Sequence, residues 1–167
     1  MSAPFRLEAL SEAHDRAAFV CGDEALDLYF GTQVTQDIRR HITNCFVAIE
    51  IGSGKLAGYY TIAATSIPLT GLPQELTKRL PRYPTVPAVR IGRLAIDQGF
   101  QGRGLGAAVL ADAAKRTFEA PPAAFALVVD AKNDRAVAFY QHHGFIPFAG
   151  RPRTLFLTIA TAAKSLL

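Results

Sequence analysis

The 167-residue sequence predicts a single α/β domain, on three observations. Short apolar, β-branched runs alternate with stretches whose apolar residues recur every three or four positions, which is typical of strands that alternate with amphipathic helices. Hydrophobic residues make up 50% of the chain, which is enough for a sizeable core. No repeat, low-complexity tract or linker divides the chain. We therefore expect one ordered domain over residues 1–167.

Composition narrows the class of protein. The net charge of +4 permits a polyanionic partner without requiring one. No apolar run approaches the roughly 18 residues that span a bilayer, and the N-terminal stretch lacks the basic-then-apolar profile of a signal peptide. Cys21 and Cys45 stand far apart with no metal-ligand spacing, so we expect two buried free thiols. These features predict a cytoplasmic protein.

In the first half of the chain, residues 5–10 alternate as an edge strand does, and Ser11 is a candidate cap for a short helix through Phe19. Asp23 is a candidate N-cap for a longer helix with a basic C-terminal end, where cations favour the helix dipole. The core-facing stripe of that helix recurs at every fourth position and comprises Leu26, Phe30, Val34, Ile38 and Ile42.

Residues 44–51 and 56–67 are predicted strands joined by a glycine-containing turn. Five prolines follow between Pro68 and Pro87, and they predict that this segment lies outside the sheet. A short helix fits between Pro73 and Leu80, with Pro73 in its first turn.

In the second half, residues 89–97 predict a buried strand and residues 125–130 another. Asn133 or Asp134 caps a helix that runs through His143, and Gly144 ends it. Residues 145–148 and 154–159 predict the last strands. Between the two buried strands lies a helix whose predicted core face comprises Ala107, Leu110, Ala111, Ala114 and Phe118.

A glycine-rich turn joins the strand at 89–97 to that helix. Gly102, Gly104 and Gly106 leave backbone N–H groups accessible at a helix N-terminus, where the dipole adds positive charge, and Arg103 adds a cation. Such a turn suits a phosphate group, although a turn that merely connects the two elements is the alternative. It lacks the Lys-Ser/Thr of a magnesium-nucleotide loop and the spacing of a dinucleotide fingerprint.

Two motifs resemble those of the GNAT family of N-acetyltransferases. The turn matches that family's Gln/Arg-x-x-Gly-x-Gly/Ala loop through Gln101, Gly104 and Gly106, and residues 133–145 match its Asn-x-x-Ala-x-x-Phe-Tyr-x-x-x-Gly-Phe pattern. The resemblance implies an α/β fold with a mixed, mostly antiparallel central sheet flanked by helices, and acetyl-CoA as co-substrate with no metal. It implies cofactor contacts from Leu94, Ala95, Ile96, Gln101, Gly102, Arg103, Gly104, Leu105, Gly106 and Asn133.

Tyr140 is the candidate catalytic residue. The resemblance implies that its hydroxyl protonates the departing CoA sulfur, whereas the alternative is a core aromatic beside Phe139. No general base is evident, since His142 and His143 fit structural or exposed roles. An α-amine, with an ordinary pKa near 8, needs less help to lose its proton than a lysine amine near 10.4. The missing base therefore favours an α-amine substrate.

Further ordered matches narrow the resemblance to the GNAT toxins of bacterial toxin–antitoxin modules. They include Gly92-Arg93-Leu94-Ala95, Val129-Asp130-Ala131 and the stretch around residues 80–84. The resemblance implies acetylation of the α-amino group of aminoacyl-tRNA, a block of translation, a ribbon-helix-helix antitoxin that links the toxin to operator DNA, and a possible homodimer. Candidate tRNA contacts are Arg39, Arg79, Arg82, Arg90 and Arg93.

Strand alternation sends Arg90 and Arg93 to opposite faces, so each arginine has a surface charge or a CoA-phosphate contact as its alternative role. Two other functions compete with the toxin. A small-amine or protein N-acetyltransferase of the same fold predicts an acidic substrate pocket, and no acidic cluster is evident. A non-catalytic acyl-CoA-binding module predicts loss of Tyr140 or of the glycine turn, and both are present.

Overall fold

A computed structural model describes residues 4–167 of the chain. Residues 1–3, the start of the stretch inspected for a signal peptide, lie outside the described residues. The strands are β1 Phe5–Ala9, β2 Asn44–Glu50, β3 Leu56–Pro68, β4 Thr85–Ile96, β5 Ala126–Asp130, β6 Ile146–Phe148 and β7 Arg151–Thr158. The helices are α1 Glu24–Leu28, α2 Val34–Arg39, α3 Gln74–Thr77, α4 Leu105–Glu119, α5 Asp134–His142 and α6 Ile159–Ser165.

The seven strands form one sheet in the order β1-β2-β3-β4-β5-β7-β6. β4 and β5 are parallel and pair Ala88 with Ala126 through Ile91 with Val129. The β1–β2, β2–β3, β5–β7 and β6–β7 pairs are antiparallel. The predicted mixed, mostly antiparallel sheet is therefore confirmed.

The chain forms two compact units. The first contains the residues up to Ala63 together with Gly92–Ala113, and the second contains Ala64–Ile91 together with Ala114–Leu167. β3, β4 and α4 each contribute residues to both units. Two interleaved stretches of chain thus build each unit.

Each unit has its own apolar cluster. In the first, the rings of Phe30 and Tyr59 stack with centroids 4.2 Å apart, and Phe19 packs edge-on against both. Such aromatic packing is worth about 0.5–1.5 kcal/mol beyond the area that it buries. In the second unit the buried cluster comprises Ile67, Leu72, Val86, Ala88, Ala126, Val128, Phe148 and Phe156.

The predicted helix from Ser11 to Phe19 is wrong, because residues 10–23 form turns and irregular backbone. Side chains capture the backbone here: the Ser11 N–H donates to Nδ1 of His14, and the Ala17 N–H donates to Asp15. Such local bonds offer the backbone an alternative to the helix. Arg16 reaches across instead and donates to the carbonyl of Phe30 at 2.7 Å.

Asp23 caps α1 as predicted, and its carboxylate accepts from the Leu26 N–H at 3.2 Å. The predicted long helix is interrupted, however, by a π-helical turn over Tyr29–Gln33 before α2. On an α-helix of 3.6 residues per turn, apolar residues at every fourth position shift around the helix axis by about 40° from one to the next. A π turn contains more residues per turn, so it brings the later apolar residues back toward the same face. Ile42 lies beyond α2 and is 61% exposed, so its core assignment was wrong.

The five prolines exclude less of their segment from the sheet than predicted. Pro68 is the last residue of β3, and Pro87 lies within β4. The Pro87 carbonyl still accepts from the Phe125 N–H at 2.8 Å, because proline lacks only the donor. The predicted short helix is α3, with Pro73 at its N-cap rather than in its first turn.

Other predictions needed small corrections. α4 buries Val109, Leu110, Ala113 and Ala114, while the predicted core residue Phe118 is 56% exposed. Short alanine side chains lie on several faces of α4, so apolar periodicity alone does not fix its core face. β7 begins at Arg151 rather than Thr154, and α6 follows it without having been predicted. Cys45 is a buried free thiol as predicted, whereas Cys21 is only half-buried.

Candidate functional site

The glycine-rich turn leaves an open cradle before α4. Gly102 and Gly104 have φ angles of 78° and 77°, in the left-handed region that favours glycine. A Cβ added at either position would meet no atom within 4 Å, so the turn faces open space. α4 begins at once with Leu105, whose side chain is buried, and its first turn carries no acidic residue. The geometry therefore fits an anion at the α4 N-terminus.

Hydrogen bonds made by the side chains of Gln101 and Asp97 hold this turn in place. The Gln101 side-chain amide donates to the carbonyls of Cys21 and Ile96, each at 2.9 Å. Asp97 accepts from the N–H groups of Val20 and Gly99, at 3.0 and 2.8 Å. Gln101 was predicted to contact the cofactor, but its side-chain amide donates to backbone carbonyls and fixes the turn to the end of β4.

Arg103 projects from the turn, half-exposed, with two neighbours in the first unit. Its guanidinium lies 5.2 Å from the centroid of the Phe100 ring and 3.6 Å from Oε2 of Glu50. An exposed ion pair of this kind is worth little and is weakened by salt. Arg103 is consequently a cation beside the cradle that an incoming phosphate can draw away from Glu50.

The predicted thioester strand is the end of β4, where Leu94 and Ile96 are half-buried and Ala95 is buried. A Cβ added at Gly58 of β3 would lie 3.1 Å from the Ala95 carbonyl oxygen and 3.0 Å from Cδ1 of Ile96. Gly58 therefore permits a close approach that any other residue would disturb. This packing fixes the backbone position of residues 94–96.

In the second unit, Tyr140 lies on α5 and is 8% exposed. Asn133 is the N-cap of α5, since its side chain accepts from the Ala136 N–H at 2.8 Å. The Tyr140 ring packs edge-on against Phe139 and Phe145, with centroids 5.2 and 5.3 Å away. Gly144 has a φ of 93° and turns the chain so that Phe145 can fold back. The motif over residues 133–145 thus forms a capped helix and packs the Tyr140 ring between neighbouring aromatic rings.

Burial raises the pKa of Tyr140 to about 12. Its phenol is consequently protonated throughout the physiological range, as a proton donor must be. Burial also lowers the pKa of His143, with a smaller contribution from His142.

The arginines predicted to contact tRNA have different environments. Arg90 forms an ion pair with Asp130, which also accepts from the Thr154 hydroxyl at 2.8 Å. Arg93 stacks on the Tyr29 ring. The other three, Arg39, Arg79 and Arg82, are exposed.

The residues that contact these arginines had no evident role in the sequence. Tyr29 lies far from Arg93 in the chain, so no local pattern could indicate their contact. Asp130 stood within a quoted motif, but its role as the partner of Arg90 had no local signal. Glu50 beside Arg103 was likewise a strand residue of no evident role.

None of the helices within residues 4–167 combines the length and the hydropathy that crossing a bilayer requires. In the same part of the chain, no three His, Cys, Asp or Glu side chains come together as a possible metal site.

Comparison with known proteins connects this geometry to one family. The family model described as "Acetyltransferase (GNAT) family" matches residues 7–145. The chain is 34% identical over 146 residues to the "tRNA-acetylating toxin" of Mycobacterium tuberculosis (strain ATCC 25618 / H37Rv), covering 86% of this chain and 84% of the relative. It is 31% identical over 157 residues to the "Probable toxin TacT" of Sinorhizobium fredii (strain NBRC 101917 / NGR234), covering 89% and 87%.

Solved structures show the same likeness. AtaT complexed with acetyl-methionyl-tRNAfMet superimposes with a TM-score of 0.89 at 30% identity, covering 96% of this chain and 98% of that one. A mutant AtaT toxin bound to the C-terminus of the antitoxin AtaR and acetyl-CoA gives 0.81 at 27% identity, covering 97% and 98%. The AtaT–AtaR complex bound to DNA gives 0.75 at 29% identity, covering 95% and 97%.

Proposed function

The chain belongs to the acetyltransferase (GNAT) family, and from this premise we propose that it is a toxin that acetylates the α-amino group of aminoacyl-tRNA. The observation that carries the proposal is the similarity to a tRNA-acetylating toxin over 86% of the chain, in a protein that retains the glycine cradle and the buried tyrosine. Acetylation of the amino group removes the nucleophile of peptide-bond formation, so translation stops.

Acetyl-CoA, when bound, supplies the activated acetyl group as a thioester. We assign its pyrophosphate to the open cradle at Gly102 and Gly104, with Arg103 as the added cation. Leu105 and Gly106 offer backbone N–H groups in the first turn of α4, and Gln101 holds the turn in place. Backbone N–H groups at residues 94–96 are assigned to the pantetheine arm and to the thioester carbonyl, where charge develops. Asn133 supports the site by capping the tyrosine helix.

Tyr140 holds the proton for the leaving sulfur at its phenol oxygen. The phenol keeps this proton until the C–S bond of the thioester breaks, and the proton then passes to the departing thiolate sulfur. A positioned acid of this kind contributes about 10²–10⁴-fold to the rate. The rings of Phe139 and Phe145 fix the phenol direction, which such a transfer needs.

The proposal extends to partners and location. Structures of the similar AtaT include tRNA, the antitoxin AtaR and DNA. We propose that this chain likewise binds charged tRNA and an antitoxin of the ribbon-helix-helix type, reaches operator DNA only through that antitoxin, forms a homodimer and acts in the cytoplasm. We also propose that residues 1–167 act as one catalytic domain, since β3, β4 and α4 run through both units.

Transfer of labelled acetyl from acetyl-CoA to total charged tRNA tests the function. The label should be released by mild alkali together with the aminoacyl ester, and added salt should weaken transfer because tRNA is bound through phosphates. Tyr140→Phe should reduce transfer by about 10²–10⁴-fold while the protein still folds and binds acetyl-CoA.

Failure of wild-type protein to label tRNA, with acetyl-CoA still bound, would overturn the toxin assignment. The same acetyl-CoA assay with polyamines and peptides would then test the small-amine and protein acetyltransferase alternative. Equal rates for wild type and Tyr140→Phe would remove Tyr140 as the acid without touching the substrate assignment.

A further inference from the structure

The segment between β3 and β4 lines an open groove, and Arg82 is the one residue of its lining that is named above as a candidate contact. We call it the proline groove; it has a volume of about 590 Å³ and is lined by Leu69, Leu72, Leu80, Pro81, Arg82 and Tyr83, among others. This volume falls within the range of about 300–1,000 Å³ that is usual for small-molecule pockets. The groove lies wholly within the second unit.

Tyr83 is the unusual residue of the proline groove. The residue is 63% exposed, whereas tyrosine is normally of intermediate burial. Prolines at 81 and 84 flank it, and its N–H donates to the Pro81 carbonyl at 2.8 Å. Because proline fixes its own φ angle, the backbone that presents the ring is stiff. The ring is therefore a preformed aromatic platform open to solvent.

The apolar residues of the segment are also packed in place. Leu69, Leu76 and Leu80 pack against the apolar cluster of the second unit. The Leu69 N–H donates to the Pro84 carbonyl at 3.2 Å, which ties the two ends of the segment together. A ligand that enters consequently meets a surface that needs little ordering.

The charge of the segment points to an anion. Lys78, Arg79 and Arg82 are exposed and Arg82 lines the groove, whereas Glu75 is the sole carboxylate between residues 68 and 87. None of the three cations has an ion-pair partner in the described part of the chain. An aromatic platform beside unpaired cations is the combination that binds unpaired nucleotides, since bases stack and phosphates pair.

We propose that the proline groove binds an unpaired nucleotide of single-stranded RNA, with its base stacked on Tyr83 and the adjacent phosphates held by Arg79 and Arg82. The inference rests on the proposed function in one respect: the RNA is the unpaired 3′ end that carries the aminoacyl group of charged tRNA. An acidic peptide would satisfy the cations but makes no use of an open aromatic face, so RNA is the better match.

The test is equilibrium binding of fluorescently labelled single-stranded RNA ending in CCA, measured by anisotropy without acetyl-CoA. Tyr83→Leu should weaken binding about 5- to 100-fold, the effect of losing one base–aromatic stack. Tyr83→Phe keeps the ring and should bind as wild type does. Phe118→Leu is the matched control, because Phe118 is a comparably exposed aromatic residue on α4. Pairing the CCA end with a complementary strand should abolish the Tyr83 effect.

Wild-type affinity for Tyr83→Leu would overturn the inference, as would an equal loss in Tyr83→Phe. Tighter binding of a labelled polyglutamate peptide than of the RNA, lost in Tyr83→Leu, would overturn it in favour of an acidic protein partner. The binding assay requires no acetyl transfer, so its outcome is independent of the proposed function. RNA binding through Tyr83 together with no labelling of tRNA would overturn the proposed function but not the RNA-binding site.

Discussion

The guanidinium carbon of Arg93 on β4 lies 3.5 Å from the centroid of the Tyr29 ring, which belongs to the π-helical turn. The Tyr29 hydroxyl donates in turn to Asp37 at 2.7 Å. Tyr29 thus contacts Arg93 through its ring and Asp37 through its hydroxyl. A cation–π contact of this kind is worth about 0.5–2 kcal/mol.

Arg93→Met should therefore lower the free energy of unfolding by about 0.5–2 kcal/mol, because methionine keeps an apolar stem but loses the cation. Urea denaturation measures the difference. Arg79→Met is the matched control, since Arg79 is exposed and should change stability by less than about 0.5 kcal/mol. Equal losses in both variants would show that the stack contributes nothing.

The contact between Tyr29 and Asp37 predicts a pH effect on stability. The hydrogen bond from Tyr29, followed by one from Gln33, lowers the pKa of Asp37 in the folded protein. A lowered folded-state pKa adds stability above the unfolded value of about 3.9, and this stability is lost as the pH falls through the folded-state pKa.

Asp37→Asn should accordingly be less stable than wild type at pH 6, and the gap should narrow as the pH falls below about 4. Urea midpoints at several pH values give the comparison, with the exposed Glu12→Gln as the control. A gap that stays constant down to pH 3 would contradict the assignment.

The cradle predicts that Gly104→Ala acts through the backbone alone. Its Cβ would meet nothing within 4 Å, but a φ of 77° disfavours any L side chain by about 1–2 kcal/mol. Unfolding free energy should fall by that amount, and acetyl-CoA binding should weaken as the turn relaxes. Gly104→Asn should lose less, because asparagine tolerates this region.

Gly52→Ala is the matched control for the cradle. Gly52 has equally open surroundings but no positive φ angle, so its replacement should be nearly neutral. If calorimetry finds unchanged acetyl-CoA affinity in Gly104→Ala, the pyrophosphate assignment to this turn fails.

The pKa of Tyr140 predicts the shape of the pH–rate profile. A general acid loses activity as the pH rises through its pKa, and burial raises that pKa to about 12. An α-amine substrate gains activity as it deprotonates near pH 8. The rate of acetyl transfer should therefore rise from pH 6 to a plateau above about pH 8.5, with no falling limb below pH 10. A limb that falls near pH 9 in folded enzyme would exclude Tyr140 as the titrating acid.

Local chemistry decided which parts of the fold were predictable. Asp23 was identified as a cap, and the second cap was narrowed to Asn133 or Asp134, because a cap bonds within three residues of itself. The glycine turn was identified because glycines beside a helix N-terminus leave its N–H groups accessible. Phe118, by contrast, was placed on the wrong face because an alanine-rich helix offers apolar surface in several directions.

The remaining parts depend on contacts between distant residues. The helix predicted from Ser11 does not form, because the side chains of His14 and Asp15 accept hydrogen bonds from backbone N–H groups. Arg16 in the same segment donates to the carbonyl of Phe30. Arg90 and Arg93 were named as one class of cation, yet Asp130 and Tyr29 give them different settings. Tyr83 lies in the quoted stretch around residues 80–84, but its open ring could not be predicted, because exposure is a property of the folded chain.

The interleaving of the two units also sets an order of appearance during synthesis. The first unit, with the glycine cradle, is complete in sequence at Ala113, whereas Tyr140 follows 27 residues later. At the usual rate of about 5–20 residues per second, the ribosome makes the cradle more than a second before the tyrosine. The open glycine turn and the whole of the first unit are thus synthesised before the helix that carries Tyr140.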